Sequence, residues 1–410
     1  MSVTTNYLIE PLAPLVFRSG KPFGSQSSAN DVIFPLPSAA AGLVRATSIS
    51  QKQVAMNEHQ VKGSDQVLQD DSYKKVLSIR TRGPYLARFD TEKEQVELLV
   101  PKPADALYFE AKDSAKDNTP AQVKLIRLAP EPLDADCGSD LPNGLLPVQM
   151  SEKIKGKPKP GVAYWTMEHL KRWQAGNNID FEELQKAGVT SLPIEIRTHV
   201  AIDSKTQAAK TGQLFQTASL DLGYSKLEEG ESNQKHVWQN KRLGFVVQTQ
   251  QSLTEDTVTF GGERRLSKFS PVSTVAEFYD DSLESLLNQI NTSKGFRLTF
   301  ITPCVFSQGY LPSWIDEDSK EGKLPDIGAS VRLKACAIDR WQPISGWDSI
   351  VWKPKAMRKA VSSGSVYWFE LIEDLNLEQL QQLTDLIWSD DKQDKNDGFG
   401  VALIAPWASI

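Results

Sequence analysis

The apolar positions of the chain fall into short β-like runs, with fewer stretches at helical spacing. Residues 7–17 are almost continuously apolar and β-compatible, but Pro11 and Pro14 interrupt the backbone N–H donors, which predicts an irregular or edge strand. Pro37 and Ser38 precede an alanine-rich segment and predict a helix over residues 39–53, with Ser38 capping a free backbone N–H. Residues 76–89 and 96–109 are β-like and flank the charged segment 90–95, the pattern of a long hairpin. In the second half, 243–250 and 296–306 are β-like, while Leu283, Leu286, Leu287 and Ile290 recur at the 3.6-residue period. Residues 365–371 predict a strand, Asn376 a helix cap, and Leu377, Leu380, Leu383, Leu386 and Ile387 one helical face. Residues 399–404 predict the last strand.

This order of elements, with loops inserted, is that of a split βαβ or ferredoxin-like (RRM-like) unit, so the expected class is α+β, with antiparallel sheets backed by helices. A length of 410 residues exceeds what one core usually supports, which predicts two domains, 1–205 and 206–410. Residues 111–160 turn polar and rich in Pro and Gly, with Lys153, Lys155, Lys157 and Lys159 in alternation, and are expected to be an insertion or linker. The charged runs 316–323 and 389–397 lack apolar anchors and are expected to be solvated loops. Residues 197–203 and 209–215 predict two arms of a protruding β-hairpin, its tip suited to wedging against a nucleic acid strand or a partner protein.

Charge changes the picture of function. Forty-six Lys and Arg against 52 Asp and Glu leave a net charge of −6, so any surface for a polyanion must be local. Cys137, Cys304 and Cys336 are too dispersed for a disulfide framework or a paired-cysteine zinc site, and are expected to be small buried side chains in a reducing cytoplasm. No run approaches 18 uninterrupted apolar residues and no secretion signal opens the chain, which predicts a cytoplasmic protein without a membrane partner.

Four segments place cations where nucleic acid chemistry needs them. In 17–24, Arg18 and Lys21 supply charge, Gly20 and Gly24 free the backbone, and Phe23 offers a stacking face; the alternative is a solvated turn anchored by its phenylalanines. In 260–266, a Gly-Gly pair delivers Arg264 and Arg265, of which one is free to meet RNA while the other pairs with an acid such as Glu263. In 352–359, Lys353, Lys355, Arg358 and Lys359 follow a tryptophan, a phosphate-tracking composition or simply a soluble loop. On the hairpin, His199 is expected to be a hydrogen-bonded structural residue rather than a catalyst. The four histidines show no metal-ligand spacing, and no nucleophile elbow, Walker loop or spaced aspartate pair is present; Asp390 and Asp391 are expected to be solvated. No catalytic residue, metal or cofactor is therefore expected.

Taken in order, PLAPLVFRSGKPFG, FPLPSAAAGLVRA, THVAID, GQLFQT, FGGERR, PCVFSQGYLPSW, WKPKAMRKAVSSGSVYWFE and the terminal GFGVALIAPW resemble a family of CRISPR proteins over residues 11–407. That family comprises the third subunits of type III-B Cmr effector complexes, within the repeat-associated mysterious protein (RAMP) superfamily. The resemblance implies two ferredoxin-like domains and a non-catalytic subunit that holds the 5′ handle of the guide CRISPR RNA. It further implies that the subunit joins the large polymerase-like subunit to the backbone RAMP subunits. It adds Arg45, in the second motif, and the glycine loop Gly398 and Gly400 to the expected RNA contacts. Two alternatives stay open: a metal-independent RAMP endoribonuclease that processes repeat RNA, which requires a positioned proton donor, and a scaffold that binds protein only.

Overall fold

The computed structural model describes residues 4–17, 34–57, 69–90, 95–111, 122–151, 156–223, 241–273, 275, 278–279, 282–348 and 353–408. A seven-stranded sheet runs in the order Asp256–Thr259, Leu266–Val272, Thr5–Pro11, Lys241–Thr249, Thr81–Asp90, Gln95–Pro101, Tyr164–Thr166. A five-stranded sheet runs Glu321–Lys323, Ser330–Ala337, Val366–Leu371, Gly295–Phe300, Ala402–Pro406. Pairing between neighbouring strands is antiparallel in both, as in an α+β protein.

Both sheets contain the same four-strand arrangement. Numbered along the chain, Thr5–Pro11, Thr81–Asp90, Lys241–Thr249 and Leu266–Val272 lie in the spatial order 4-1-3-2. Gly295–Phe300, Ser330–Ala337, Val366–Leu371 and Ala402–Pro406 repeat that order. In the larger sheet the first crossover carries the helix Pro37–Ser50, and in the smaller sheet the last crossover carries the helix Leu377–Asp385. The expected division between residues 205 and 206 falls within a two-stranded ribbon, and Lys241–Thr249 and Leu266–Val272 beyond it complete the larger sheet.

Several local expectations are corrected. Thr5–Pro11 is an interior strand, bonded to neighbours on both sides, because Pro11 is its last residue and Pro14 lies beyond it. The helix after it starts at Pro37, whose fixed φ suits the first turn, so Ser38 is already inside and caps nothing. The predicted start at residue 76 is helical instead: Asp71–Leu77 precedes the strand Thr81–Asp90. Residues 111–160 are more than a linker, since Ala106–Ala111, Gln122–Pro130, Val148–Met150 and Gly156–Pro158 form a four-stranded sheet. Asn376, by contrast, makes the expected cap, closing a reciprocal capping box with Gln379.

The two sheets share an interior. Ile301, Val401 and Leu403 from the second half pack in the same cluster as Leu8, Tyr85, Val100 and Trp165 from the first. Burying each large aliphatic or aromatic side chain there contributes roughly 1.5–3 kcal/mol. An ion pair crosses this contact: Arg297 Nη2 stands 2.7 Å from Asp105 Oδ2, both side chains buried. Asp105 also accepts from Trp173 Nε1 at 3.0 Å, and Arg127 lies 3.6 Å over the Trp173 ring. Elsewhere Ile194–Ile202 and Ala209–Leu220 form the ribbon, paired only with each other within their sheet.

Candidate nucleic-acid interface

The helix Pro37–Ser50 opens without a side-chain cap, since its N-cap is Leu36, and no acidic residue lies in its first turn. Pro37 has no N–H and the Ala39 N–H donates to the Leu36 carbonyl at 2.9 Å, so what this start offers an anion is chiefly the positive end of the helix dipole. A cleft of about 200 Å³ lies at that end, lined by Ser38, Ile344, Ser345, Lys355, Arg358 and Phe399, with the carboxylate of Asp397 also in its wall. A small ribbon forms one wall. It pairs Trp341–Ile344 with Arg358–Val361, and Trp347–Asp348 with Lys353–Pro354, and turns Ile344 and Ala360 inward. Lys353, Lys355, Arg358 and Lys359 are all exposed on it.

The opposite wall is the segment expected to be a solvated loop. Asp391 caps the short helix Lys392–Asp397, accepting from the N–H groups of Gln393 and Asp394. Ser389, Asp394, Asn396 and Asp397 are buried. Asp397 accepts from Arg45 Nη1 at 2.7 Å, and Arg45 Nη2 donates to the carbonyls of Leu77 and Ile79 at 3.0 Å each. Asp394 receives both terminal nitrogens of Arg358 at 2.7 Å, and this hydrogen-bonded carboxylate raises the pKa of the guanidinium further above its ordinary value. Asp390 accepts from Ser307 and from the Ser313 N–H, a structural latch rather than a solvated group. The acids are held because each meets a donor distant in sequence: Asp397 meets Arg45 from the first half, while Asp394 and Asp390 meet Arg358, Ser307 and Ser313 from the second.

The glycine turn that follows is buried, not laid open to a strand of RNA. Gly398 and Gly400 have φ of +93° and +92°, and a Cβ on Gly398 would stand 2.8 Å from the Thr81 carbonyl oxygen. One on Gly400 would stand 2.7 Å from the Ser389 nitrogen. These glycines therefore allow close backbone packing, and Arg45 is an internal counter-charge, so none of the three is placed to touch a ligand directly.

The other sequence candidates lie apart from the cleft or outside the described residues. Arg18, Lys21 and Phe23 fall among the undescribed residues. Arg264 is exposed at φ +51°, while Arg265 donates to Glu263 at 2.8 Å, as expected for one of the pair. Their turn is joined to the strand leading to residue 18, since Gly262 N donates to the Val16 carbonyl at 2.8 Å. His199 sits on the exposed ribbon with Nε2 2.8 Å from Thr217 Oγ1. His169 is buried beside Thr166 and Glu183. Among the described residues no group of three or more potential metal ligands converges.

The family model described as CRISPR-associated protein (Cas_Cmr3) matches residues 7–407. The chain belongs to the Cas_Cmr3 family. Two chains from cryo-EM structures of the Type III-B Cmr-beta align with this Cas_Cmr3 member. In the structure bound to cognate target RNA and AMPPnP, the chain is 14% identical, the alignment covers 96% of this chain and 94% of that one, and the TM-score is 0.47. In the structure bound to cognate target RNA, identity is 17%, coverage 88% and 86%, and the TM-score 0.44. No curated protein matches the chain.

For this Cas_Cmr3 member, sequence reasoning missed two features of the surface. The uncapped helix start is not evident in the sequence because Ser38 mimics a cap, two residues past the N-cap Leu36. Trp341 and Trp347, both exposed beside the lysines, escape sequence reasoning because their place next to 353–361 comes from strand pairing and not from adjacency in the chain.

Proposed function

We propose that this protein is a non-catalytic RNA-binding subunit of a type III-B CRISPR effector, and that it seats the 5′ handle of the guide RNA in the cleft at the start of the helix Pro37–Ser50. Family membership supports the assembly. The observation that carries the RNA site is the convergence of an uncapped helix start with Lys355 and Arg358 on a protein whose net charge is −6. Arg358, fixed at Asp394, offers a preoriented guanidinium edge to a phosphate, and Lys355 adds a mobile charge. The shared 4-1-3-2 strand order supports reading both sheets as ferredoxin-like units, each with a short edge strand, Asp256–Thr259 or Glu321–Lys323, in one crossover where a helix is expected.

The ribbon 194–220 supports a role inside an assembly that joins the large subunit to backbone subunits. Ile194, Ile196, Val200 and Ile202 alternate onto one face, opposite Leu214, and are all exposed. On its other face His199 Nε2 lies 2.8 Å from Thr217 Oγ1, a contact that supports a structural role for this histidine.

Ser38→Glu tests the cleft. A carboxylate in the first turn favours the helix but repels phosphate, so the variant should keep its thermal stability and retain guide RNA about tenfold less well in the assembled complex. Unchanged retention would remove this cleft from the RNA path. Repeat RNA incubated with the chain should stay intact, and cleavage abolished by His199→Ala would favour the processing enzyme instead.

A further inference from the structure

Trp341 and Trp347 are 56% and 54% exposed, on the same ribbon and on the side away from buried Ile344. The Lys359 ammonium lies 5.3 Å from the centre of the Trp341 ring, a diagonal neighbour across the pair of strands. Met357 is also half exposed there. The charges of residues 341–348 and 353–361 are Asp348 against Lys353, Lys355, Arg358 and Lys359, and Arg358 is matched by Asp394. Three lysines against one aspartate leave this ribbon basic on an acidic protein.

Large indoles are seldom left in water without a use, and an interface that is both aromatic and cationic matches one ligand chemistry closely. Unpaired nucleotides present a flat π-face and a phosphate with every residue, whereas in a duplex each base face is already covered by its neighbours. An acidic peptide would use the lysines but leave the indoles without a counterpart.

We propose that the outer face of this ribbon is a stacking platform for unpaired nucleotides, with bases on Trp341 and Trp347 and the backbone accompanied by Lys359, while Lys353 pairs with Asp348 on the opposite face and Lys355 lines the cleft. This rests on the RNA-binding function proposed above and extends it from seating phosphates to selecting for single strands. The strand rise of about 3.3 Å per residue puts the two rings up to about 20 Å apart, so the platform spans several nucleotides.

The test measures binding of the full chain to a 12-nucleotide oligouridine and to a 12-base-pair RNA duplex by fluorescence anisotropy, at several salt concentrations. Trp341→Ala and Trp347→Ala should each weaken single-strand binding about tenfold, with little change in the salt slope or in duplex binding. The phenylalanine variants should retain most of the affinity. Lys359→Ala should lower the salt slope by about one. If the tryptophan variants bind oligouridine normally while the lysine variant weakens, the platform is wrong and the RNA-binding function stands. If neither set changes binding, RNA does not run over this ribbon and the platform falls with that path. Loss of incorporation into the effector by Trp→Ala variants that still bind oligouridine normally would identify a protein contact and also overturn the proposal.

Discussion

Two segments of similar charge density meet opposite fates. Residues 389–397 hold four aspartates, and residues 353–359 hold four cations. In the first, Asp394 and Asp397 are buried and matched by Arg358 and Arg45; in the second, all four cations stay exposed. Charge along a sequence does not say whether a segment faces water or an interior counter-charge. What decides it is whether another part of the chain supplies a donor of fixed geometry.

The largest effect that would break this contrast comes from the buried side. Asp397→Ala leaves the Arg45 guanidinium inside without its carboxylate, and unfolding in urea should show a loss of about 3–5 kcal/mol. A loss below about 1 kcal/mol would mean that water reaches Arg45 and that the acidic segment is solvated after all. On the exposed side, Lys353→Ala with Lys355→Ala should move stability by no more than about 0.5 kcal/mol per site. A larger loss would make the ribbon structural rather than a surface for ligands.

The smallest effect concerns the thiols, which sort by burial in the same way. Burial pushes the Cys336 thiol up to about 12 and raises Cys304 further from reactivity, whereas Cys137 is exposed, contrary to the expectation of a buried side chain. A thiol reagent at neutral pH should therefore modify one site quickly and leave the folded protein's thermal stability unchanged. Rapid modification of Cys304 would show that the contact around Ser389 and Gly400 opens in solution.

The legible parts of the fold were those set by local pattern. The helix at residue 377 announces itself through Asn376 and its leucine spacing, the strand at 295 through alternating Phe296, Leu298 and Phe300, and the strand at 366 through the apolar run Val366 to Phe369. The helix Lys392–Asp397 was not legible because its anchors are ionic and come from residues 45 and 358, which sequence proximity cannot reveal. The chemistry-bearing lysines at 353–359 were visible as composition. Their association with the start of the helix Pro37–Ser50 was not, since it depends on the contact between halves of the chain. Arg45 and the two glycines stand among the expected contacts on the same footing as the exposed lysines, and burial separates them.

The interior position of Thr5–Pro11 has a consequence for synthesis. Its bonding partners are Lys241–Thr249 and Leu266–Val272, so the strand leaves the ribosome more than 200 residues ahead of them. At typical elongation rates of about 5–20 residues per second it waits roughly 10–50 s as an unmatched apolar segment. Pro11 and Pro14, at and just past its end, deny a stray strand some of the donors needed to extend a ladder and so act as gatekeepers against self-association of nascent chains. Arg45 waits longer still, its carboxylate lying 352 residues downstream. The two prolines that look like defects in the strand thus protect it during the interval in which it has nothing to pair with.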